Sequence, residues 1–438
     1  MFYLILVLFI AGFVAISLER RLSFDKTAVA LLTGALIWLC VAFGNDAPHQ
    51  ELAKHLGGIS ELLFFLLGTM AIVEIIDIYG GFSMLKKVIK TAQKVKFLWI
   101  LSFLTFFMSA VLGNLSATIV MITLMWKFIG GNTTRCFFAS MIVIAANAGG
   151  AWSPMGDVTT AMLWMGGQVS TWNIILQLLV PSLMCMLVPL IIISLGMKGE
   201  VVPPSHADYA RSSIPTTDRE RWTVLASGIG GLMLVPVIKS VTHLPPYIVV
   251  LLMLAILWMI TKFLFRKEKE LATRLTLSGI FRKIDTSTVF FLLGILLAVA
   301  GLESAGHLNL LGAFLGEKVQ NMYVINLVIG ALSSVVDNVP LLAGTVGMFD
   351  VVSPDALATI PDPAKVAFMK HFIVDGSFWN LLAYSAGTGG SILIFGSASG
   401  IVAMSLAKID WMWYVKKISW LALAGFLSGF AVYYLIVR

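Results

Sequence analysis

Charged residues are scarce in this chain: only 12% of its 438 residues are charged, whereas 59% are hydrophobic. A water-soluble globular protein of this length needs far more polar surface than this composition supplies, so a soluble fold is excluded. The sequence therefore predicts an all-α membrane protein that crosses the bilayer many times and has no separate soluble domain.

Cysteine and the common catalytic motifs are also scarce or absent. The three cysteines, Cys40, Cys136 and Cys185, lie in apolar stretches without paired spacing, which argues against disulfides and against a metal site. The sequence contains no HExxH motif, no phosphate-binding loop and no nucleophile elbow. We therefore expect no transition metal, no organic cofactor and no enzyme activity.

The chain has apolar segments instead, and their lengths are uneven. A transmembrane helix needs about 20 apolar residues, so some segments are too short for one crossing and others too long. We interpret 97–129 and 321–349 as re-entrant hairpins, and 136–167 and 369–408 as broken helices. The other candidate spans lie at roughly 1–18, 27–43, 59–79, 174–197, 222–242, 247–265, 286–303 and 412–437.

The basic residues are distributed asymmetrically between the loops. With the loop at 19–26 placed inside, 24 of the 30 Lys and Arg residues fall inside and 6 fall outside. Such an excess marks the cytoplasmic side of a membrane protein, so both termini are predicted to lie outside. The net charge of +7 therefore reflects orientation in the bilayer and does not indicate a nucleic-acid partner.

Several features of the first half of the chain recur in the second half in the same order. The matched pairs are FFLLG at 64–68 and 290–294, Asn114 and Asn338, Gly149 and Gly389, and Gly156 and Gly396. With the topology above, the two halves enter the membrane from opposite sides. We therefore predict two inverted-topology repeats, 1–200 and 222–438, each with a re-entrant hairpin and a discontinuous transmembrane helix, joined by a cytoplasmic linker at 201–221.

The first broken helix contains a stretch that cannot remain regular helix. Between Asn147 and Thr160, three glycines and Pro154 interrupt the hydrogen-bond ladder. Inside a bilayer, freed backbone groups are tolerated only where they are buried in protein or line a wet cavity, so this break is a predicted binding site. Asp157 could serve as a helix cap alone, but a carboxylate near the bilayer centre is costly, which favours a functional role.

Further interruptions occur at the hairpin turns and in the later broken helix. Asp337-Asn338 turns the second hairpin, whereas the equivalent Gly113-Asn114 turns the first hairpin without an acid. The later broken helix is interrupted at 385–391. Paired interruptions in the two halves of a hydrophobic chain indicate a transporter site at the repeat interface, where helix N-termini face a polar ligand.

These interruptions together predict one ion site near the bilayer midplane. Asp157 and Asp337 are the predicted acids for proton and cation coupling. The predicted cation ligands are the side-chain oxygens of Asn114, Ser116, Thr118, Asn147, Ser153, Thr159, Asn338, Thr388 and Ser397. Four acids nearer the membrane interfaces, where carboxylates are often simply solvated, are accessory candidates: Glu74, Asp77, Glu303 and Asp375.

The stretch from Asn147 to Thr160, together with Val336-Asp337-Asn338-Val339-Pro340, resembles the NhaD family of sodium/proton antiporters. That family belongs to the ion transporter superfamily, with arsenite permeases and sodium-dicarboxylate symporters. The resemblance implies a homodimer in a bacterial inner membrane, with a scaffold domain and a transport domain, that exports Na+ and Li+ in exchange for H+. The family usually has Asp-Asn in the first hairpin, where this chain has Gly113-Asn114.

Two other functions compete with antiport. An anion carrier of the same architecture would hold an oxyanion or a dicarboxylate at helix N-termini, but Asp157 and Asp337 would repel such a ligand. An intramembrane aspartyl protease would use the two acids as a catalytic dyad. The protease motif has a second glycine two positions before Gly156, where this chain has Pro154.

Overall fold

A computed structural model of the protein describes residues 2–17, 25–43, 48–85, 91, 93–126, 128–129, 131–201, 217–264, 279, 282–319, 321–358, 361–394 and 396–437. Within these ranges the chain is helical, and its only β-type pairing is an isolated bridge between Gln93 and Glu200. The linker predicted at 201–221 lies mostly outside the described residues. Its last residues belong to a helix that Thr217 and Glu220 cap reciprocally.

The α-helices of the described residues are numbered here in chain order. In the first half they are α1 (Phe2–Ser17), α2 (Lys26–Ala42), α3 (Pro48–Ile78), α4 (Lys94–Leu112), α5 (Asn114–Trp126), α6 (Asn132–Ala151), α7 (Val158–Met165) and α8 (Thr171–Gly196). In the second half they are α9 (Asp218–Thr242), α10 (Pro246–Leu264), α11 (Thr286–Ser304), α12 (His307–Lys318), α13 (Met322–Ser333), α14 (Asn338–Met348), α15 (Pro354–Ala358), α16 (Pro363–Met369), α17 (Ser377–Gly389), α18 (Ala398–Leu406), α19 (Trp411–Lys417) and α20 (Ser419–Val437).

Eight helices within the described ranges are long and apolar enough to cross a membrane: α3, α4, α6, α8, α9, α10, α11 and α20. All of them except α6, which is largely buried, carry exposed large apolar side chains, as a hydrocarbon environment requires. These observations confirm the predicted class, an all-α polytopic membrane protein. The helix α3 starts earlier than predicted, at Pro48, and α12, α15 and α16 were not predicted at all.

Two pairs of consecutive helices, α4 with α5 and α13 with α14, fold back as hairpins at the predicted positions. Gly113 ends α4 with a φ of 85°, a left-handed conformation that glycine adopts without steric cost. The rings of Phe97, near the start of α4, and Phe128, just after α5, lie 5.2 Å apart, so the two ends of the first hairpin meet. The second hairpin, α13 and α14, likewise brings Met322 and Phe349 to the first turn of α17.

Both predicted broken helices are interrupted, but the breaks lie later than the sequence indicated: 147–151 and 385–389 remain helical, and the interruptions are at 152–157 and 390–397. The helix α6 ends at Ala151 and α7 begins at Val158, whereas α17 ends at Gly389 and α18 begins at Ala398. The second broken helix does not begin near 369, as predicted. It begins at Ser377, because the chain is non-helical just before this residue, where Asp375 has a φ of 61°.

The two halves make matching contacts around the breaks. Gly149 of α6 packs against the backbone of Phe106 in α4, and Gly389 of α17 packs against that of Gly330 in α13, with no room for a Cβ atom in either place. The Ser109 hydroxyl donates to the Ala146 carbonyl at 2.5 Å, and the hydroxyl of the matched Ser333 donates to the Ala386 carbonyl at 2.6 Å. These equivalent contacts support the prediction of an internal repeat.

Two further contacts each join a helix of one half to a helix of the other half. Gly294 of α11 packs directly on the backbone of Ala30 in α2, and Gly68 of α3 packs on the side chain of Val250 in α10. The helices α2, α3, α10 and α11 thus form one body from both halves. This body lies against the hairpins and broken helices and supplies the opposite wall of the cavity described next.

Candidate cation site

Asp157 is the centre of the site, and the break after α6 places it there. The residue caps α7 from an extended conformation, and its backbone N–H donates to the Thr160 hydroxyl at 3.2 Å. Its side chain is only 4% exposed. The Thr159 hydroxyl donates to the Asp157 carboxylate at 2.9 Å, so the predicted ligand Thr159 is beside the predicted acid.

The second hairpin supplies a second side-chain hydrogen-bond donor to this carboxylate. The Asn338 amide, at the start of α14, donates to the same Asp157 oxygen at 2.9 Å. Pro340 fits the first turn of α14, where no backbone donor is required, and Asp337 caps the helix by accepting the Val339 N–H at 3.1 Å. The acid of one half is therefore held by an amide of the other half, 181 positions away.

A buried hydroxyl and amide network joins the first hairpin to the later broken helix. The Asn147 amide nitrogen donates to the hydroxyl oxygens of Ser391 and Ser397, each at 2.9 Å. Its carbonyl oxygen accepts from the Ser399 hydroxyl at 2.7 Å and from the Asn114 amide at 3.2 Å. Every polar atom of this side chain is satisfied, so Asn147 fixes the relative positions of the two breaks.

A cavity of about 80 Å³ lies between these elements and the body formed by α2, α3, α10 and α11. Asp157, Asp337, Asn114, Ser116 and Asn338 line it on the side of the hairpins and breaks. The opposite side is mostly apolar, with polar groups from Lys26, Thr69 and Thr288 among Phe65, Leu66, Met70, Phe291 and Leu292. The cavity is thus mostly apolar on both sides, since Val111, Leu112, Leu115 and Met155 also line it, and its carboxylates and amides are confined to the wall of hairpins and breaks.

Not all the predicted ligands reach this site. The Ser153 hydroxyl donates to the Ala110 carbonyl at 2.6 Å, which ties the break to α4. The Thr388 hydroxyl donates to the Tyr384 carbonyl of its own helix at 2.6 Å. The Thr118 hydroxyl is buried and has no hydrogen-bond partner among the described residues. Thr388 and Ser153 therefore have backbone partners, although both lie near the breaks.

The accessory acids lie away from the cavity. Glu74 forms an ion pair with Lys283, with 3.1 Å between the charged atoms, and Asp77 and Glu303 are exposed. Asp375 was predicted about one turn into a span, which is wrong, because it lies in the loop before α17. Its carboxylate accepts the Ser170 N–H at 2.5 Å and its own N–H donates to the Gln168 carbonyl, so it holds two loops together.

Sequence reasoning missed some of the polar residues of the site. Ser399 lies 240 positions after Thr159, so the repeat offset could have identified it. Ser391 was seen as part of the second break but was not predicted as a ligand. Lys26 was counted only as a basic loop residue, and no sequence signal distinguishes it from the other lysines at span ends.

The donor set is chemically suited to a hard monovalent cation. Carboxylate, amide and hydroxyl oxygens are the ligands that hard cations prefer, whereas transition metals favour imidazole and thiolate. Among the residues that the structure describes, no group of three His, Cys, Asp or Glu side chains could hold a metal ion. A buried carboxylate can also take up a proton, so the same atoms can bind either H+ or a cation.

Comparison with known proteins identifies the family. Residues 5–370 match the family model described as citrate transporter. The chain is 39% identical to sodium/proton antiporter 2 of Arabidopsis thaliana over 97% of both chains. It is 29% identical to the Na+/H+ antiporter NhaD of Vibrio cholerae over 92% of this chain and 85% of that protein. The chain therefore belongs to the citrate transporter family, and the resemblance to NhaD-type antiporters that its motifs predicted is confirmed.

Proposed function

We propose that the protein is a secondary active antiporter that exports Na+, and also Li+, in exchange for H+. The names of its relatives support this function. The observation that carries it is the buried Asp157 carboxylate, which receives hydrogen bonds from Thr159 and Asn338 in a cavity shared with Asp337. Two acids among neutral oxygen donors provide the negative charge that a cation site needs.

Exchange follows from competition at these carboxylates. A carboxylate coordinates Na+ only when it is deprotonated, so H+ and Na+ exclude one another from the same group. Asp157, held in place by its two hydrogen-bond donors, takes the central role in this proposal. Asp337 supplies the second charge from the turn of the second hairpin. The matched turn of the first hairpin cannot supply a charge, since it has Gly113 in place of an acid.

The main alternative is transport of an anion, which the description of the matching family suggests. The N-termini of α7 and α14 and the ammonium of Lys26 are features that attract anions. Two carboxylates in the same cavity oppose this reading, since they repel a carboxylate or an oxyanion at close range. The two candidate functions therefore differ in the ligand that stabilises the protein.

A ligand-binding measurement separates these functions directly. The purified protein is heated in choline chloride, sodium chloride, lithium chloride or choline citrate at equal ionic strength. A ligand that binds the folded state raises the melting temperature. We expect Na+ and Li+ to raise it and citrate to leave it unchanged, and a rise with choline citrate alone would contradict the proposal.

Transport is tested in proteoliposomes that contain a pH-sensitive dye. An inward Na+ gradient imposed on vesicles with a clamped membrane potential should drive H+ out of the lumen, and a Li+ gradient should do the same. A K+ gradient of equal size, with the potential clamped in the same way, is the control. Absence of Na+-dependent proton movement in vesicles with correctly inserted protein would contradict antiport.

The proposal also covers orientation and assembly. We propose that the protein forms a homodimer in a bacterial inner membrane with two inverted repeats and both termini outside. Contacts between helix ends support the placement of both termini on one side: Phe2 lies against His307, and Tyr434 lies against Tyr323. Both chain ends thus contact segments that the distribution of basic residues predicts to be outside. The pairing of Gln93 with Glu200 joins segments predicted to be inside.

A further inference from the structure

Lys26 lines the cavity from the wall opposite the two aspartates. It is the first residue of α2, is half-buried, and its ammonium lies 5.1 Å from the centre of the Phe291 ring. Asp157 and Asp337 reach the same space from the N-termini of α7 and α14. The cavity thus contains a cation supplied by the protein itself, facing the carboxylates of the proposed ion site.

The start of α2 is held firmly, so the position of Lys26 is fixed by the fold. Asp25 accepts the backbone N–H of Thr27 at 2.7 Å and so caps the helix. The Thr27 hydroxyl lies 2.7 Å from that of Ser287, which joins the N-termini of α2 and α11. The ring of Phe291 on α11 then holds the ammonium by a cation–π contact.

Other charged groups near this end of the molecule have different partners. Asp285, before α11, accepts hydrogen bonds from the backbone and hydroxyl of Thr288, and Asp25 is engaged at its own helix cap. Glu74 of α3 is paired with Lys283. The other acids of α3 and α11 are Glu51, Glu61, Asp77 and Glu303, and α1 carries no charged residue in its described range.

The cavity acids are the carboxylates on which Lys26 acts. Asp337, Asp157 and Lys26 line the same cavity, where their charges interact through space. No carboxylate of the described residues lies within ion-pair distance of the Lys26 ammonium. Among the described residues, its charge has no fixed carboxylate partner and faces the cavity that a transported cation would occupy.

We propose that Lys26 is the internal counter-cation of the empty site and sets its affinity for Na+ and its working pH. This inference rests on the proposed Na+/H+ exchange. The ammonium offsets one of the two negative charges of Asp337 and Asp157 when no ion is bound, and it opposes a second cation that enters the same cavity. Lys26 is a positioning and affinity-setting residue, since it supplies no ligand atom to Na+.

Removing the charge of Lys26 should change both the half-saturating Na+ concentration and the pH dependence of exchange. In Lys26→Gln, the half-saturating Na+ concentration at high pH should fall by about tenfold, because a repulsive charge at cavity distance has been removed. The carboxylates should also hold their protons to higher pH, because a neighbouring cation no longer favours their charged form. The pH at which Na+-driven exchange reaches half of its maximum should therefore move upward.

Two matched variants separate charge from packing. Lys26→Arg keeps the positive charge and should retain both wild-type values. Lys283→Gln removes a lysine from the same end of the molecule that pairs with Glu74 outside the cavity, and it should also retain them. Melting temperatures and detergent-solubilised yields show that each variant is folded, and Lys26→Met provides a second neutral variant if Lys26→Gln is poorly produced.

The experiment is Na+-dependent proton flux in proteoliposomes, with Na+ varied at several pH values. Lys26→Gln with unchanged half-saturation and unchanged pH profile would overturn the proposal. So would Lys26→Arg behaving like Lys26→Gln, because charge would then not be the cause. A wild-type protein that shows no Na+-driven flux and is stabilised by citrate would instead refute antiport itself, and in that case Lys26→Gln should abolish the stabilisation by citrate.

Discussion

The Asp157 carboxylate receives two hydrogen bonds from side chains that lie on different halves of the chain. Neither donor carries a positive charge, so the negative charge remains available to a bound ion. The amide and hydroxyl donors instead set the direction in which the free lone pairs point. A neutral residue of the same shape would preserve the packing and remove only the charge.

Asp157→Asn should therefore abolish Na+-driven proton movement while the protein still inserts and folds. The amide of the new side chain cannot exchange a proton or balance a cation, although it fits the same space. Flux in proteoliposomes and the melting temperature measure the two effects. Asp77→Asn, at an exposed acid of α3 outside the cavity, should retain transport.

Asp337→Asn should show the same loss if the hairpin acid shares the coupling role. Because Asp337 caps α14 and lines the cavity with Lys26, its removal leaves the lysine charge facing one carboxylate instead of two. For the Asp157→Asn variant described above, the contradicting result would be unchanged exchange with unchanged pH dependence in well-folded protein. That result would show that the proton is carried by another group.

Thr159 and Thr388 provide a matched test of which hydroxyls serve the site. Thr159 donates to the Asp157 carboxylate, whereas Thr388 donates to a carbonyl of its own helix. A hydrogen bond to a charged group contributes roughly 1.5–3 kcal/mol, so Thr159→Val should weaken the apparent Na+ affinity by about tenfold or more. Thr388→Val should leave it nearly unchanged, and an equal effect of both variants on flux kinetics would contradict the assignment.

At the scale of secondary structure, the breaks depend on close backbone contacts. Gly149 touches the backbone of Phe106, and Gly389 touches the backbone of Gly330. Each contact fixes a broken helix against the first helix of a hairpin. The hairpin turn and its aspartate or asparagine are therefore positioned by glycines several residues away from the ion.

Alanine at either glycine should destabilise the protein by a similar amount. The added methyl group would meet a backbone that cannot move without displacing a helix, and overpacking of this kind typically costs about 1–3 kcal/mol. Gly149→Ala and Gly389→Ala should both lower the melting temperature. Gly344→Ala, in α14 with open space around its Cα, should not. A fall for only one of the two would argue against equivalent contacts in the two halves.

Sequence reasoning located the breaks because their chemistry is local. Glycine and proline weaken regular helix in an apolar stretch, so interruptions near 147–160 and 385–391 could be predicted without a structure, although 147–151 and 385–389 are helical and the breaks lie at 152–157 and 390–397. The position of Asp375 could not, since an aspartate in the left-handed region looks the same in sequence as one in a helix. The role of Lys26 depends on the packing of α2 against α11, which no local pattern encodes.

Over the whole molecule, the distribution of basic residues makes the orientation testable. Lys54 precedes the apolar part of α3 and is predicted outside, whereas the exposed Lys198 follows α8 and is predicted inside. Single cysteines at positions 54 and 198 are introduced after Cys40, Cys136 and Cys185 have been replaced. A membrane-impermeant thiol reagent added to intact cells should label position 54 and not position 198. Labelling of both would contradict the inverted-repeat topology.

The exchange of ions by the whole protein should carry the signature of competition for shared carboxylates. At low pH the acids of the cavity hold protons, and Na+ must displace them before it can bind. At high pH the acids are already charged, so Na+ binds without this cost. The apparent Na+ affinity should therefore improve as pH rises, by up to about tenfold per pH unit if one proton is displaced.

Flux measured over a matrix of Na+ concentrations and pH values tests this coupling. Competition predicts that the half-saturating Na+ concentration falls with rising pH, while the maximal rate at saturating Na+ changes much less. Asp157→Gln should show no Na+-driven flux anywhere in this matrix, because it retains no titrating group at the centre of the site. A wild-type affinity that is constant across pH, with only the maximal rate changing, would show that H+ and Na+ bind at separate groups, and exchange would then require a different coupling element.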